Sequence, residues 1–260
     1  MFNRMMMAGM LLITLMSGGS VTELRAQDTA KTMLAAAGRE LKTVVGKKGE
    51  ARAVVLKSAR GIYEQIPSRW PDDGAAVAQA HLQMALLSRQ LGNSKESLLQ
   101  LQLVVAIEGE ARKHAVAYIE MSKLAAKSKQ PEEALKPLRS LLKNCTECRR
   151  ECTDALLRMS SIQAAAERFD FATASAQQVV DKYPEIWRAN VDACNQVCRI
   201  LIQRREWVKA IAHLAQLDKL LEERFASSDS WDSVRSAMER MSARRTLTPW
   251  SPQSEGVPAS

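Results

Sequence analysis

The chain is 260 residues long and 46% hydrophobic, with 37 lysine and arginine side chains against 29 acidic ones and a formal net charge of +8. Only 5% of its residues are aromatic and the basic side chains are spread along its whole length. Stacked-base recognition therefore has no support, and no nucleic-acid partner is expected. The basic surplus is compatible with acidic partners through general electrostatics, anionic polymers or lipid head groups among them.

At the start of the chain, Arg4 precedes the apolar run Met5 to Met16, and the small residues Ser17, Gly18, Gly19 and Ser20 follow. This is a secretory signal-peptide pattern over residues 1–26, with cleavage after Ala26 favoured over Ser20. A run of 12 residues falls short of the ~20 needed to cross a bilayer as a helix. The remaining chain carries 35 basic and 28 acidic side chains and has no cysteine before Cys145 to take a lipid anchor. Without a later transmembrane segment, the sequence predicts a soluble exported protein, periplasmic or secreted.

Helical periodicity accounts for the rest. Asp28 to Val45 reads as one helix and Glu50 to Ile66 as a second, ended by the Pro67, Pro71 and Gly74 cluster. Ala75 to Leu91 is closed by Gly92-Asn93, and Asn93 with Glu96 forms an asparagine variant of the capping box for a helix reaching about Ile107. Arg112 to Ser128 pairs with a helix from Pro131 to about Lys143, where proline suits the first helical position and Glu132 and Glu133 suit the dipole. Cys152 to Glu167 pairs with Asp170 to Tyr183, and Ile186 to Arg204 with Trp207 to Phe225. A last amphipathic helix from about Ser230 to Ser242 presents Trp231, Val234 and Met238, as a terminal cap would. Prolines, glycine and serines make residues 244–260 a disordered tail in expectation.

The helices recur in register. Ala59, Ser97, Ala134, Ala172 and Ala210 stand 38, 37, 38 and 38 residues apart. Each is followed four residues on by Tyr63, Leu101, Leu138, Ala176 and Leu214, and seven on by Ile66, Val104, Leu141, Val179 and Leu217. That is the stripe of one buried helix face, repeated. In the preceding helices Met84, Met121, Met159 and Val197 align, each followed by a small residue, Ala85, Ser122, Ser160 and Cys198, as close helix crossings require. No single copy can hide its stripe, so the copies must stack.

With small residues in both helices and Pro71 and Pro184 at unit ends, residues 50–225 resemble the tetratricopeptide repeat (TPR) family. The 37 to 38-residue unit exceeds the family's usual ~34, and most of the tryptophan, leucine-glycine and tyrosine signature is absent. The resemblance implies an all-α, right-handed superhelix of antiparallel helix pairs, a TPR-like α-solenoid with a repeat domain over residues 27–243, and a concave groove. It assigns the groove to the first helix of each pair. Residues out of phase with the packing slots are Leu82, Leu86, Arg89 and Gln90, then Ile119, Lys123 and Lys127, then Leu157 and Ser161, then Asn195, Arg199 and Gln203. This mixed apolar and basic face suits a peptide with apolar anchors and acidic flanks. The family's carboxylate-clamp ladder is not matched by Leu82, Ile119 and Leu157.

Cys145, Cys148 and Cys152 (CTECRREC) occupy a junction that other repeats fill with glycine or proline. An exported protein meets oxidants, so a disulfide within the cluster that pins this junction is the favoured reading, with at least one of five thiols left over. Cys194 and Cys198 lie one helical turn apart, and packing explains Cys198. The alternative is a thiol or zinc module using the CxxCxxxC cluster. No haem-attachment sequence accompanies it, and neither a metal nor a cofactor is assigned.

Catalytic patterns are missing. His81, His114 and His213 fall in different repeats, with no HExxH, GxSxG, GxxxxGK[ST] or GxGxxG motif. The sequence therefore predicts a non-catalytic scaffold of the cell envelope that binds a protein or peptide partner. The weaker alternatives are the thiol or metal module and a helical accessory part of a cell-wall enzyme assembly.

Overall fold

The computed structural model describes residues 29–128 and 130–215, and all regular structure among them is helical. In chain order the helices are α1 (Ala30–Lys42), α2 (Gly49–Arg69), α3 (Gly74–Gln90), α4 (Ser94–Ala106), α5 (Ala111–Ala125), α6 (Pro131–Asn144), α7 (Arg149–Ala165), α8 (Phe169–Lys182) and α9 (Trp187–Gln203). A 3-10 turn over Ala126–Ser128 follows α5, and residues 207–215 are again helical. The expected signal peptide, terminal cap helix and tail lie outside the described residues. Two units divide the chain, residues 1–196 and 197–260, with the division falling inside α9.

Within the first unit, α1 packs chiefly on α2, α3 on α4, α5 on α6 and α7 on α8, and the pairs stack through α2 on α3, α4 on α5 and α6 on α7. First helices also meet one another, α1 with α3, α3 with α5 and α5 with α7, so one face of the stack is built from first helices alone. The register stripe explains this packing. Tyr63, Ile66, Leu101, Val104, Leu138, Leu141, Ala176 and Val179 are all buried, and each large side chain so covered contributes on the order of 1.5–3 kcal/mol. The small slots are buried as well, with Ala134, Ala172 and Ala210 at most 3% exposed.

The two slots of a pair are always 12 residues apart: 85 and 97, 122 and 134, 160 and 172, 198 and 210. In the second pair the Ser97 hydroxyl donates to the Ala85 carbonyl across the crossing (2.8 Å). In the second unit the Cys198 thiol faces the Ala210 carbonyl at 3.9 Å. The Ser122 and Ser160 hydroxyls are buried without a hydrogen-bond partner.

Three of the turns inside pairs share one backbone solution. Gly92, Glu167 and Arg205 adopt positive φ (82°, 58° and 61°). In each case the next N–H bonds the carbonyl five residues back, Asn93 to Ser88, Arg168 to Gln163 and Glu206 to Leu201, at 2.8 to 2.9 Å. These are Schellman-type helix ends. Between neighbouring units, polar side chains stitch the stack at about one repeat's separation: Arg60 to Glu96 (3.2 Å), Arg112 to Glu151 (3.0 Å), Arg149 to Glu185 (2.7 Å), and Arg168 to Glu132. Exposed pairs of this kind fix register more than they add stability.

Two expectations about helix ends need correction. Pro67 does not end α2, which continues to Arg69. Proline so close to the helix end removes one N–H bond, and the Trp70 N–H still closes the helix on Ile66 (2.9 Å). Asn93 makes no side-chain cap. Its expected partner Glu96 is engaged by Arg60 (3.2 Å) and the Gln100 amide (2.7 Å) instead.

Candidate partner-binding groove

A cavity of about 820 Å³ opens on the first-helix face between α5 and α7, with the start of α6 at one end. Ile119 and Lys123 from α5, Leu157, Ser161 and Ile162 from α7, and Pro131 and Ala134 from α6 supply its walls, with Asp154 and Arg158 adding charge. The 3.6-residue period places Asp154, Leu157, Arg158 and Ser161 on one side of α7. Gln196 closes over that side, its amide donating to the Leu157 carbonyl (3.2 Å) and to the Ser161 hydroxyl (2.7 Å).

Charge in this region is organised around Glu120, which is buried on α5. Lys123 reaches it from one turn onward (2.5 Å), and Arg89 reaches it from α3. Both basic residues share this one carboxylate, so the trio keeps a net charge of +1. Asp154 and Arg158 add one charge of each sign to the groove. Solvent reaches Asp154 at the cavity mouth, but the surrounding walls desolvate it and raise its pKa. Glu151 and Asp192 add to that rise, while Arg158 and Lys123 oppose it. A carboxylate so placed is disposed to accept a donor or a cation from a bound segment.

The sequence-derived residues distribute unequally. Ile119, Lys123, Leu157 and Ser161 come together in the cavity, and Arg89 joins them through Glu120. Leu82 is core, packed with Ala85, Leu101, Val104 and Ala117, and is closed to a partner. Its phase turns it toward α4 and the next unit. Leu86 is half-buried, and exposed Gln90 accepts from Arg52 (3.1 Å). Lys127 and Asn195 are exposed. Arg199 and Gln203 are exposed in the second unit. Sequence reasoning missed Glu120, although its i,i+3 spacing to Lys123 was readable, and it missed Asp154 and Arg158, which flank Leu157.

No disulfide joins the cysteines, and all five are buried thiols. The junction pairing expected for Cys145, Cys148 and Cys152 is replaced by packing against Ala115, Ile119, Leu138, Leu141 and Ala155. The backbone register explains their placement. Cys145 N–H closes α6 on Leu141 (2.9 Å), Cys148 N–H bonds Cys145 O (3.0 Å), and Cys152 N–H bonds Cys148 O (2.8 Å). Trp70, Asp73 and Val77 repeat this geometry, as do Tyr183, Ile186 and Asn190. The seventh position also donates to the junction. The Cys152 thiol reaches Cys145 O (3.3 Å), the His114 ring meets Ile107 O (2.5 Å), and the Asn190 amide donates to Pro184 O (2.9 Å). Burial pushes the Cys145 thiol up to about 11, with Cys148 and Glu147 adding, and it raises Cys148 and Cys152 too. Protonated thiols are poor nucleophiles and poor ligands. Among the described residues no group of three or more His, Cys, Asp or Glu side chains is arranged to hold a metal ion.

The histidines are dispersed. His81 Nδ1 lies 2.7 Å from Gln100 Oε1, His114 serves the junction, and burial lowers the pKa of His213. No helix among the described residues is long and apolar enough to cross a membrane.

No known family profile and no curated protein matches the sequence. Solved structures do match. MamA (residues 41-end) from Desulfovibrio magneticus RS-1 superposes with a TM-score of 0.51 at 17% identity, covering 77% of this chain and 98% of its own. A kinesin light chain with nearly identical TPR-like repeats from Podosopora anserina gives 0.50 at 13% identity, covering 76% and 96%. The fold is a TPR-like α-solenoid. BtubC from P. vanneervenii gives 0.55 at 11% identity over 90% of this chain and 98% of that protein. At such identities the likeness carries the fold of this TPR-like chain and nothing about its ligand.

Proposed function

We propose that this protein is an exported, non-catalytic interaction scaffold of the cell envelope that holds a peptide segment of a partner protein against the α5–α7 groove. The observation that carries the reading is the cavity itself. Its volume of about 820 Å³ is enough for several side chains, it lies on the face built from first helices, and it gathers the apolar anchors Ile119 and Leu157 beside Asp154 and Arg158. Helical repeat stacks commonly use such a surface to hold a partner. Export rests on the residue 1–26 pattern alone. The pairing of Arg89 and Lys123 with Glu120 shifts the expected occupant away from a purely acidic flank, toward a segment that offers an apolar anchor, a cation to Asp154 and an anion to Arg158.

The experiment is cross-linked capture from envelope extract with the intact chain and with Leu157→Asp, after circular dichroism has shown the variant folded. A partner held by the parent and lost by the variant supports the groove. One retained equally by both places binding on another surface.

A further inference from the structure

The outer face of α4 differs from that of the other second helices in the first unit. Leu98, Leu99 and Leu103 are 40%, 50% and 39% exposed there. Ser97, Leu101 and Val104 face the core, and the 3.6-residue period turns Leu99, Leu103 and Ala106 to the opposite side. At the register position of Leu99 the other second helices carry Gly61, Lys136 and Ala174, and at that of Leu103 they carry Gln65, Ser140 and Gln178. On α6 the same face is closed by the ion pairs Lys136 to Glu133 (2.7 Å) and Arg139 to Glu132 (3.1 Å). The one carboxylate of α4, Glu96, turns instead to Arg60 and Gln100. Three leucines therefore form an apolar patch that the stack itself leaves uncovered.

We propose that this face is the contact of a two-fold homodimer, in which α4 lies antiparallel on α4 of a second copy. An isologous interface needs a patch that complements itself, and two features of α4 do so about one axis. Leu99 and Leu103 stand two residues either side of Leu101. A two-fold axis at that level sets Leu99 against Leu103 of the second copy, and Leu103 against its Leu99. Farther out, Lys95 lies six residues before Leu101 and Glu108 seven after it. Both are exposed, and neither forms an ion pair among the described residues. The same axis brings the Lys95 ammonium of each copy beside the Glu108 carboxylate of the other. A different protein could cover the leucines, but the coincidence of apolar pair and charged ends about one axis selects a second copy. So short a face suits a weak, concentration-dependent dimer. It lies on a second helix, so the inference is independent of what the α5–α7 groove binds.

Sedimentation equilibrium of the full chain tests the proposal. Reversible exchange between monomer and dimer is expected in the micromolar to millimolar range, and Leu99→Glu with Leu103→Glu should leave a monomer of unchanged circular dichroism. Lys95→Glu should raise the dimer dissociation constant roughly tenfold by setting like charges together, and Lys95→Glu with Glu108→Lys should restore it. The charge variants decide alone if the double leucine variant loses helicity. A chain that is monomeric throughout leaves the face to a different partner and overturns the proposal, as does a dimer that survives the double leucine variant. Failure of the charge exchange to restore dimerisation overturns the antiparallel arrangement.

Discussion

Two kinds of connection alternate along this chain, and they solve the same problem by opposite means. Turns inside a pair fix the backbone and leave the side chain free: Gly92, Glu167 and Arg205 hold one left-handed conformation although only the first is suited to it. Junctions between pairs fix what the side chains must do and leave their identity free. One group ends a helix, a second starts the next, and the seventh position donates back, whether the residues are the buried Cys145, Cys148 and Cys152 or the less buried Ile107, Glu110 and His114. The first kind constrains backbone conformation, and the second constrains packing and hydrogen bonding.

The largest expected effect is at the cysteine junction and is set by pH. An unfolded chain ionises its thiols near 9.0, whereas folded Cys145 keeps its proton to about 11. Above pH 9 the unfolded state therefore binds fewer protons, and stability falls until about pH 11, by about 2 to 3 kcal/mol for this one group. Urea midpoints from pH 8 to 11 should decline less steeply in Cys145→Ala than in the parent, and parallel declines would contradict the burial account. Next in size, Ala172→Leu overfills the crossing that both connections serve and should cost roughly 1 to 3 kcal/mol, read as a lower melting temperature. Cys152→Ala loses both a thiol and its bond to Cys145 O and should cost about 1 to 2 kcal/mol, with Cys152→Ser less damaging because the donor is kept. Equal losses in the two variants would mean that packing alone matters at that position.

The smallest effects fall on the turns and slots. Gly92→Ala puts a side chain at φ 82° with open space around it, so strain alone should cost about 1 kcal/mol. Glu167→Gly relieves the same strain and should gain up to ~1 kcal/mol, less the entropy glycine adds to the unfolded chain. Opposite signs at these two sites are the point of the comparison, and like signs would break it. Ser160→Ala removes a buried hydroxyl without a partner, and a gain of about 1 kcal/mol in chemical denaturation is expected.

The helix pairs were legible because the small-residue register and the buried stripe are both periodic, and periodicity survives substitution at single positions. Pro131 marked its helix correctly, since at the first helical position its missing N–H costs nothing. Pro67 misled because the same chemistry near a C-terminus removes one bond without stopping the helix. The cysteines misled for a different reason: their rarity suggested special chemistry, while the alignment of Trp70, Ile107, Cys145 and Tyr183 at spacings of 37, 38 and 38 would have assigned them to a structural slot. Of the groove, Ile119, Lys123, Leu157 and Ser161 were readable from phase. The pairing of Arg89 with the buried Glu120 depends on contact between α3 and α5, which no single helix reveals.

The constant spacing of 12 between paired slots has a consequence for how such a chain can change. The interval from each second slot to the next first slot is 25, 26 and 26 residues, so all variation in unit length falls in that stretch and none in the pair. The hairpin is thus the indivisible cassette, and the junction is the seam. Duplication, deletion or grafting of units should be tolerated when the breakpoints fall at residues 107–110, 145–148 or 183–186, and one residue added between Ser160 and Ala172 should do more harm than several added at a seam.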